Sequence, residues 1–206
     1  MSALKVIKDE FSKLANILTL FRIVLIPVVM LLLDANTPFT GLMAAIVFIA
    51  AGITDYFDGW VARRYNQSTV LGQFLDPLAD KLLVMAILIM LAAQNRVSSV
   101  LVILLIAREI TISGLRSIAV LEGYILKSDK LGKFKTTFQF LSISFLCVHY
   151  SYPIDFFFFT TQVNFSLVGI ILLYVSLAYS LLSAFLYFKN FFDAMEEKQN
   201  SEAASN

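Results

Sequence analysis

Apolar residues run along this chain in six stretches, near 17–33, 39–57, 75–93, 98–119, 134–152 and 163–188. A helix rising about 1.5 Å per residue needs roughly 17–25 residues to cross the hydrocarbon core of a bilayer. The pattern therefore predicts an all-α, polytopic membrane protein with six transmembrane helices and short connections. Ahead of the first stretch, Leu4, Ile7, Phe11 and Leu14 recur at helical spacing among lysines, as in an amphipathic helix lying at the headgroup interface. After the last stretch the run from Glu196 to Asn206 is polar and reads as disordered. The expected organisation is an N-terminal interfacial helix over 1–15, a six-helix membrane domain over 16–192 and a polar C-terminal tail over 193–206.

Composition agrees with that class, since 59% of residues are hydrophobic and 15% charged, with a mean hydropathy of +0.79, well outside an ordinary soluble domain. The N-terminal segment is too charged for a secretory signal and lacks a small-residue cleavage pattern. Basic residues alternate between connections. Lys5, Lys8, Lys13 and Arg22 precede or open the first stretch, and Arg63 and Arg64 follow the second. Lys127, Lys130, Lys133 and Lys135 lie around the start of the fifth, and Lys189 and Lys198 follow the last, whereas the other loops carry only Arg96. The positive-inside rule then places both termini and the segment around Arg63 in the cytoplasm. The net charge of +1 carries no signal for nucleic acid, which is not expected as a partner. The basic loops suit anionic membrane lipids or a phosphorylated substrate.

Four aspartates interrupt this apolar background: Asp55, Asp58, Asp76 and Asp80. Spacings of three and four put two carboxylates on one face of each of two helices. Any one of them alone reads as a helix cap, and Asp76-Pro77 as a helix start. Four together repel one another and are costly near lipid, so a positive partner must sit among them. Hard divalent cations are the simplest choice, because no Cys or His cluster offers softer ligands.

From Asp55 to Asp80 the segment DYFDGWVARRYNQSTVLGQFLDPLAD fits D-x2-D-G-x2-A-R-x8-G-x3-D-x3-D at every fixed position. This resembles the motif of the CDP-alcohol phosphotransferases, membrane enzymes that join a CDP-activated group to an alcohol and release CMP. The resemblance implies two divalent cations, Mg²⁺ or Mn²⁺, held by Asp55, Asp58, Asp76 and Asp80. It also implies that Asp80 takes the proton from the acceptor hydroxyl, a role that a carboxylate beside metals can fill. Gly59 and Ala62 would let a CDP-lipid approach the backbone, Arg63 would pair with phosphate oxygen, and Gly72 leaves space near the metals.

Flanking residues narrow the resemblance. Asn16, Thr19, Arg22 and Pro27 on the first stretch, Arg108-Glu109 and Gly114-x-Arg116 on the fourth, and Gly132-Lys133-x-Lys135-Thr136 with Gln139 on the fifth are similar to one bacterial branch of the family. That branch transfers the phosphatidyl group of CDP-diacylglycerol to sn-glycerol 3-phosphate. The resemblance implies a homodimer in the bacterial cytoplasmic (inner) membrane with its active site facing the cytoplasm. Branches with serine, inositol phosphate or a second lipid as acceptor share the aspartates. A divalent-cation transporter is a rival of another class, although an ion path has no need of Gly59, Ala62, Arg63 and Gly72.

Arg108 and Glu109 fall near the middle of the fourth stretch, and buried charge at that depth faces a partner helix or a polar cavity. Arg116, with Lys133 and Lys135, is the candidate set for the acceptor phosphate. Cys147 reads as inert packing, and His149 as distant from the aspartates. Phe156 to Phe159, after Tyr150, Tyr152 and Pro153, reads as an outer aromatic belt. Ala44, Ala45, Ala50, Ala51 and Gly52 would permit close helix approach.

This orientation is testable by labelling. Cysteines introduced near Asn36 and Asp155 are expected to react with a membrane-impermeant thiol reagent added from outside the cell, and labelling from the cytoplasmic side alone would invert the topology.

Overall fold

The computed structural model describes the backbone over residues 14–65, 70–123, 130–156 and 159–205, and side chains over 19–54, 78–123, 131–153, 162–198 and Asn200. The described residues form helices α1 (Leu14–Asp34), α2 (Pro38–Tyr65), α3 (Val70–Ala93), α4 (Ser99–Leu121), α5 (Lys130–Val148) and α6 (Phe165–Ser205). Between α5 and α6 lies an antiparallel hairpin of β1 (Ser151–Phe156) and β2 (Phe159–Asn164). The expected interfacial helix over 1–15 falls almost wholly outside the described residues. Among those residues one helical segment, Phe165–Lys198, is long and apolar enough to cross a membrane, with mean hydropathy 2.2, and Pro38–Thr54 is a shorter apolar stretch. The length is available in α4 too, but that helix carries Arg108, Glu109 and Arg116.

Side-chain volume decides how closely the helices approach. Most contacts of α5 are with α6, and it also packs on α2, while α1 packs on α2 and α3. Ala44, Ala45 and Ala51 are buried as expected for a close interface, whereas Ala50 is exposed. A Cβ on Gly52 would collide with the ring of Phe140, and one on Gly41 would lie 2.6 Å from the Cys147 carbonyl oxygen. Against these gaps Phe48 and Phe140 pack with ring centroids 4.8 Å apart. The core joins Val29 and Leu33 of α1 to Leu83, Ile87 and Leu91 of α3, Leu101 and Leu105 of α4, and Ile143 and Leu146 of α5. Large apolar side chains face outward on all six helices, among them Leu31, Phe39, Ile89, Val100, Leu141 and Phe185. Such a surface is suited to lipid rather than water.

The hairpin and the length of α6 depart from the pattern-based expectation. Residues 151–164 are rich in aromatic and β-branched side chains, which favour a pleated strand as readily as an apolar helix. Strand pairing runs from Ser151 with Asn164 to Phe156 with Phe159, so the segment expected as an aromatic belt is part of a two-stranded ribbon. Phe157 and Phe158 lie outside the described residues. The Asn164 side-chain oxygen accepts from the Leu167 amide at 3.0 Å and caps α6. At its other end α6 continues to Ser205, through the polar segment expected to be disordered.

One end of the bundle is closed by Arg96. Its guanidinium donates to the carbonyls of Leu146 at 3.2 Å and Cys147 at 3.0 Å, and to Oδ1 of Asn36 at 2.6 Å. The last carbonyls of a helix have no partner within it, so a buried cation there satisfies both hydrogen bonding and the helix dipole. Asn36, Asn95 and His149 turn the chain at this end with φ of 49°, 56° and 62°. Tyr150 adds a bond from its hydroxyl to the Asn36 carbonyl at 3.0 Å. Arg96, the exception to the basic-loop pattern, is thus consumed by structure.

Arg96→Ala removes the donor from two carbonyls of buried residues, Leu146 and Cys147, and from the side-chain oxygen of exposed Asn36. It is expected to cost on the order of 3 kcal/mol, with Arg96→Lys intermediate because an ammonium cannot span all three acceptors. Thermal unfolding in detergent micelles measures the order of the three proteins, and an Arg96→Ala protein as stable as the unmutated one would remove the latch.

Candidate active site

The aspartate segment lies at the opposite end from Arg96, because α2 ends at Tyr65 and α3 begins at Val70. Helical backbone over both segments keeps the three- and four-residue spacings intact. Asp55, Asp58, Gly59, Ala62, Arg63, Gly72 and Asp76 have side chains outside the described residues, which leaves Asp80 as the motif aspartate that can be placed. Among the described residues no three His, Cys, Asp or Glu side chains come together.

Asp80 is half-buried and lines a cavity of about 90 Å³. Its walls are Lys81, Val84, Met85 and Leu88 of α3, Leu105, Ile106 and Glu109 of α4, and Lys135, Thr136 and Gln139 of α5. A larger cavity of about 480 Å³ adjoins it and shares Lys81, Glu109, Lys135 and Thr136. The larger one is completed by Arg108, Ile112, Ser113 and Arg116 of α4, Gly132 and Lys133 of α5, and Ser183 and Tyr187 of α6.

Helical periodicity explains how an apolar bundle contains a polar chamber. Glu109, Ile112, Ser113 and Arg116 follow at intervals of three and four along α4, and so do Gly132, Lys135, Thr136 and Gln139 along α5. Each set makes one face. On α6, Ser176, Ser180 and Ser183 are buried at the same kind of spacing, with Tyr187 one turn further on. Ser176 donates its hydroxyl to the Lys135 carbonyl at 3.1 Å, and Arg108 Nε donates to the Ser180 carbonyl at 2.9 Å, so α6 is bonded to both neighbours.

Among the described residues, five cations and a single carboxylate line the larger cavity. That carboxylate, Glu109, pairs with Lys135 of α5 through Oε2, with Arg108 through the same oxygen at 3.2 Å, and with Lys81 of α3 through Oε1 at 3.9 Å. Lys81 also donates to the Ser113 hydroxyl. Lys135 is buried, and an unpaired ammonium there would cost several kcal/mol, so Glu109 is what allows it inside. Arg116 and Lys133 are exposed, and the Arg116 guanidinium carbon lies 5.8 Å from the Tyr187 ring centroid. The excess of cations among the described residues of this cavity suits a dianion such as a phosphate monoester.

Arg116, Lys133 and Lys135, expected as one phosphate-binding set, do line one cavity, with Lys135 in the wall nearest Asp80. Arg108 and Glu109 pair with each other and also reach across to other helices. Lys81 is a cavity cation outside the expected set, although a lysine directly after Asp80 inside an apolar stretch is a visible signal. The serine spacing on α6 was not anticipated either. Cys147 is buried in the core, and His149 lies at the Arg96 end, away from Asp80 as expected.

A family model described as CDP-alcohol phosphatidyltransferase matches residues 12–182. A CDP-diacylglycerol–glycerol-3-phosphate 3-phosphatidyltransferase of Rickettsia bellii (strain RML369-C) is 36% identical over 178 residues, covering 86% of this chain and 94% of its own. The protein of that name from Bacillus subtilis (strain 168) is 40% identical over 148 residues, 66% of this chain and 77% of the relative. For Escherichia coli (strain K12) the figures are 41% over 136 residues, 64% and 74%.

Proposed function

The chain belongs to the CDP-alcohol phosphatidyltransferase family, and from that premise we propose that it transfers the phosphatidyl group of CDP-diacylglycerol to sn-glycerol 3-phosphate, giving phosphatidylglycerol phosphate and CMP. The observation that carries the choice of acceptor is the shared wall between two cavities. Asp80 lines one, and five cations line the other. A small phosphorylated alcohol can lie across that wall with its phosphate among Arg116, Lys133 and Lys135 and its hydroxyl toward Asp80. Relatives named for this same reaction support the assignment.

The all-carboxylate set Asp55, Asp58, Asp76 and Asp80 fits a hard divalent ion, and the placed member, Asp80, lines a cavity. When bound there, two Mg²⁺ or Mn²⁺ ions supply neutralisation of the pyrophosphate charge. In this reading Gly59 and Ala62 give the CDP-lipid close access to the helix backbone, Arg63 pairs with a phosphate oxygen, and Gly72 leaves room beside them. Lys135 and Arg116 orient the acceptor, so that the reacting hydroxyl is held rather than searching. Asp80 removes its proton as the oxygen attacks the lipid-side phosphorus in line, and the bond to CMP breaks. Both substrates occupy the site together, and no covalent enzyme intermediate is needed.

The bundle is further proposed to cross the bacterial inner membrane six times with this end in the cytoplasm, to work as a homodimer, and to admit acyl chains laterally between helices. A cation-conducting path is disfavoured by the five cations of the larger cavity.

Release of CMP from CDP-diacylglycerol by the purified protein tests the chemistry. Asp80→Asn is expected to lower turnover by about 10²–10⁴-fold, the usual worth of a general base, and chelation is expected to abolish activity. Near-normal turnover in Asp80→Asn would remove the assigned base, and full activity in excess chelator would sink the metal reading.

Acceptor identity is tested in the same assay with a panel of alcohols. Glycerol 3-phosphate is expected to react, with free glycerol and serine inactive. Arg116→Ala should raise the apparent KM for glycerol 3-phosphate by about tenfold or more, as expected for a lost charge-assisted hydrogen bond, while CDP-diacylglycerol is little affected. Faster reaction with serine or inositol phosphate would reassign the acceptor, and a defect confined to CDP-diacylglycerol would move Arg116 to the other phosphate.

A further inference from the structure

Glu109 stands in the wall common to the two cavities and gathers cations from three helices. Apart from Asp80 it is the one carboxylate among the described residues lining either cavity. We propose that Glu109 is a positioning residue, which fixes Lys135 and Lys81 at the boundary between phosphate and reacting hydroxyl and offsets enough positive charge for the phosphate group to be released.

Two physical points lead there. A lysine ammonium is a point charge on a flexible four-carbon stem, and only a partner fixes where it sits. Oε2 takes Lys135 and Arg108 together while Oε1 faces Lys81, so one carboxylate sets three positions. The second point is charge. Binding energy that is equal for ground state and transition state does nothing for turnover at saturation. Five cations with no opposing carboxylate would hold any phosphate, substrate or product, with such uniform strength. Glu109 removes one unit of that charge at the shared wall, beside the cations that face both cavities.

The turnover part of this proposal rests on glycerol 3-phosphate as acceptor, and the charge part does not. The full chain in detergent micelles is titrated with inorganic phosphate by calorimetry, and kcat and KM for glycerol 3-phosphate are measured for folded protein. Glu109→Gln is expected to bind inorganic phosphate about tenfold more tightly, in line with one unit of charge removed near the site. Its kcat should fall about tenfold or more with no rise in KM. Glu109→Asp keeps the charge but shortens the reach, so its phosphate affinity should stay within about twofold while kcat falls. Unchanged phosphate affinity in Glu109→Gln overturns the proposal, as does unchanged kcat per folded molecule in both variants, which would make Glu109 a purely structural ion-pair partner. Should Glu109→Gln not fold, Glu109→Asp decides: lost kcat with intact phosphate affinity supports the role, and unchanged kcat overturns it. An unmutated protein that releases no CMP with glycerol 3-phosphate refutes the acceptor instead, and the phosphate titration still reads the charge.

Discussion

An ion drawn from water into an apolar bundle needs either a counter-ion or a set of acceptors waiting for it, and around the polar chamber of this chain the counter-ion is Glu109. Lys135 is buried, Arg108 nearly so, and each would cost several kcal/mol if left alone. Pairing with one carboxylate ties α3, α4 and α5 together, while the Arg108 bond to the Ser180 carbonyl adds α6. The helices that surround the chamber are therefore held by the charges that line it. A bundle packed only by Leu, Ile and Phe would close this space; the cations keep it open because they repel one another, share one carboxylate and need access to water.

Arg96, another buried cation, behaves differently, and the contrast is informative. Arg96 donates to three acceptors supplied by two other segments, at a bundle end built from three left-handed turns. Its charge is absorbed by helix carbonyls and an amide oxygen, with no opposing carboxylate among the bonds it makes. Lys81, Arg108 and Lys135 meet a carboxylate they have to share, and they line open volume. One arrangement fixes a corner of the fold, whereas the other leaves positive charge in excess among the described residues of a cavity that an anion can reach.

The number of helices was legible because runs of apolar residues at this length have few other solutions. The hairpin was not, since the aromatic run Phe156 to Phe159 between the fifth and sixth stretches suits an interfacial belt as well as a strand, and only the pairing from Ser151 with Asn164 to Phe156 with Phe159 distinguishes them. The tail from Asp193 was read from its polarity, yet it prolongs α6, whose preceding turns spare it the cost of nucleation. Arg108 and Glu109 were visible as a pair, but their partners Ser180, Lys81 and Lys135 lie on other helices, and nothing local names them.

The same reasoning explains why the aspartate segment is plain in the sequence and the basic cavity is not. The aspartates come from two consecutive helices, so their spacing survives as a contiguous pattern from Asp55 to Asp80. The cavity draws single faces from four helices between Lys81 and Tyr187, and each face contributes only a few polar residues to an apolar run. A lysine at the start of a stretch then looks like a membrane anchor, and a serine inside one looks like tolerated packing. Only the third dimension shows that Ser176, Ser180 and Ser183 continue the polar faces of α4 and α5. Under the proposed acceptor assignment, the choice of acceptor is placed where sequence is least explicit, on helix faces whose polar residues acquire meaning from one another.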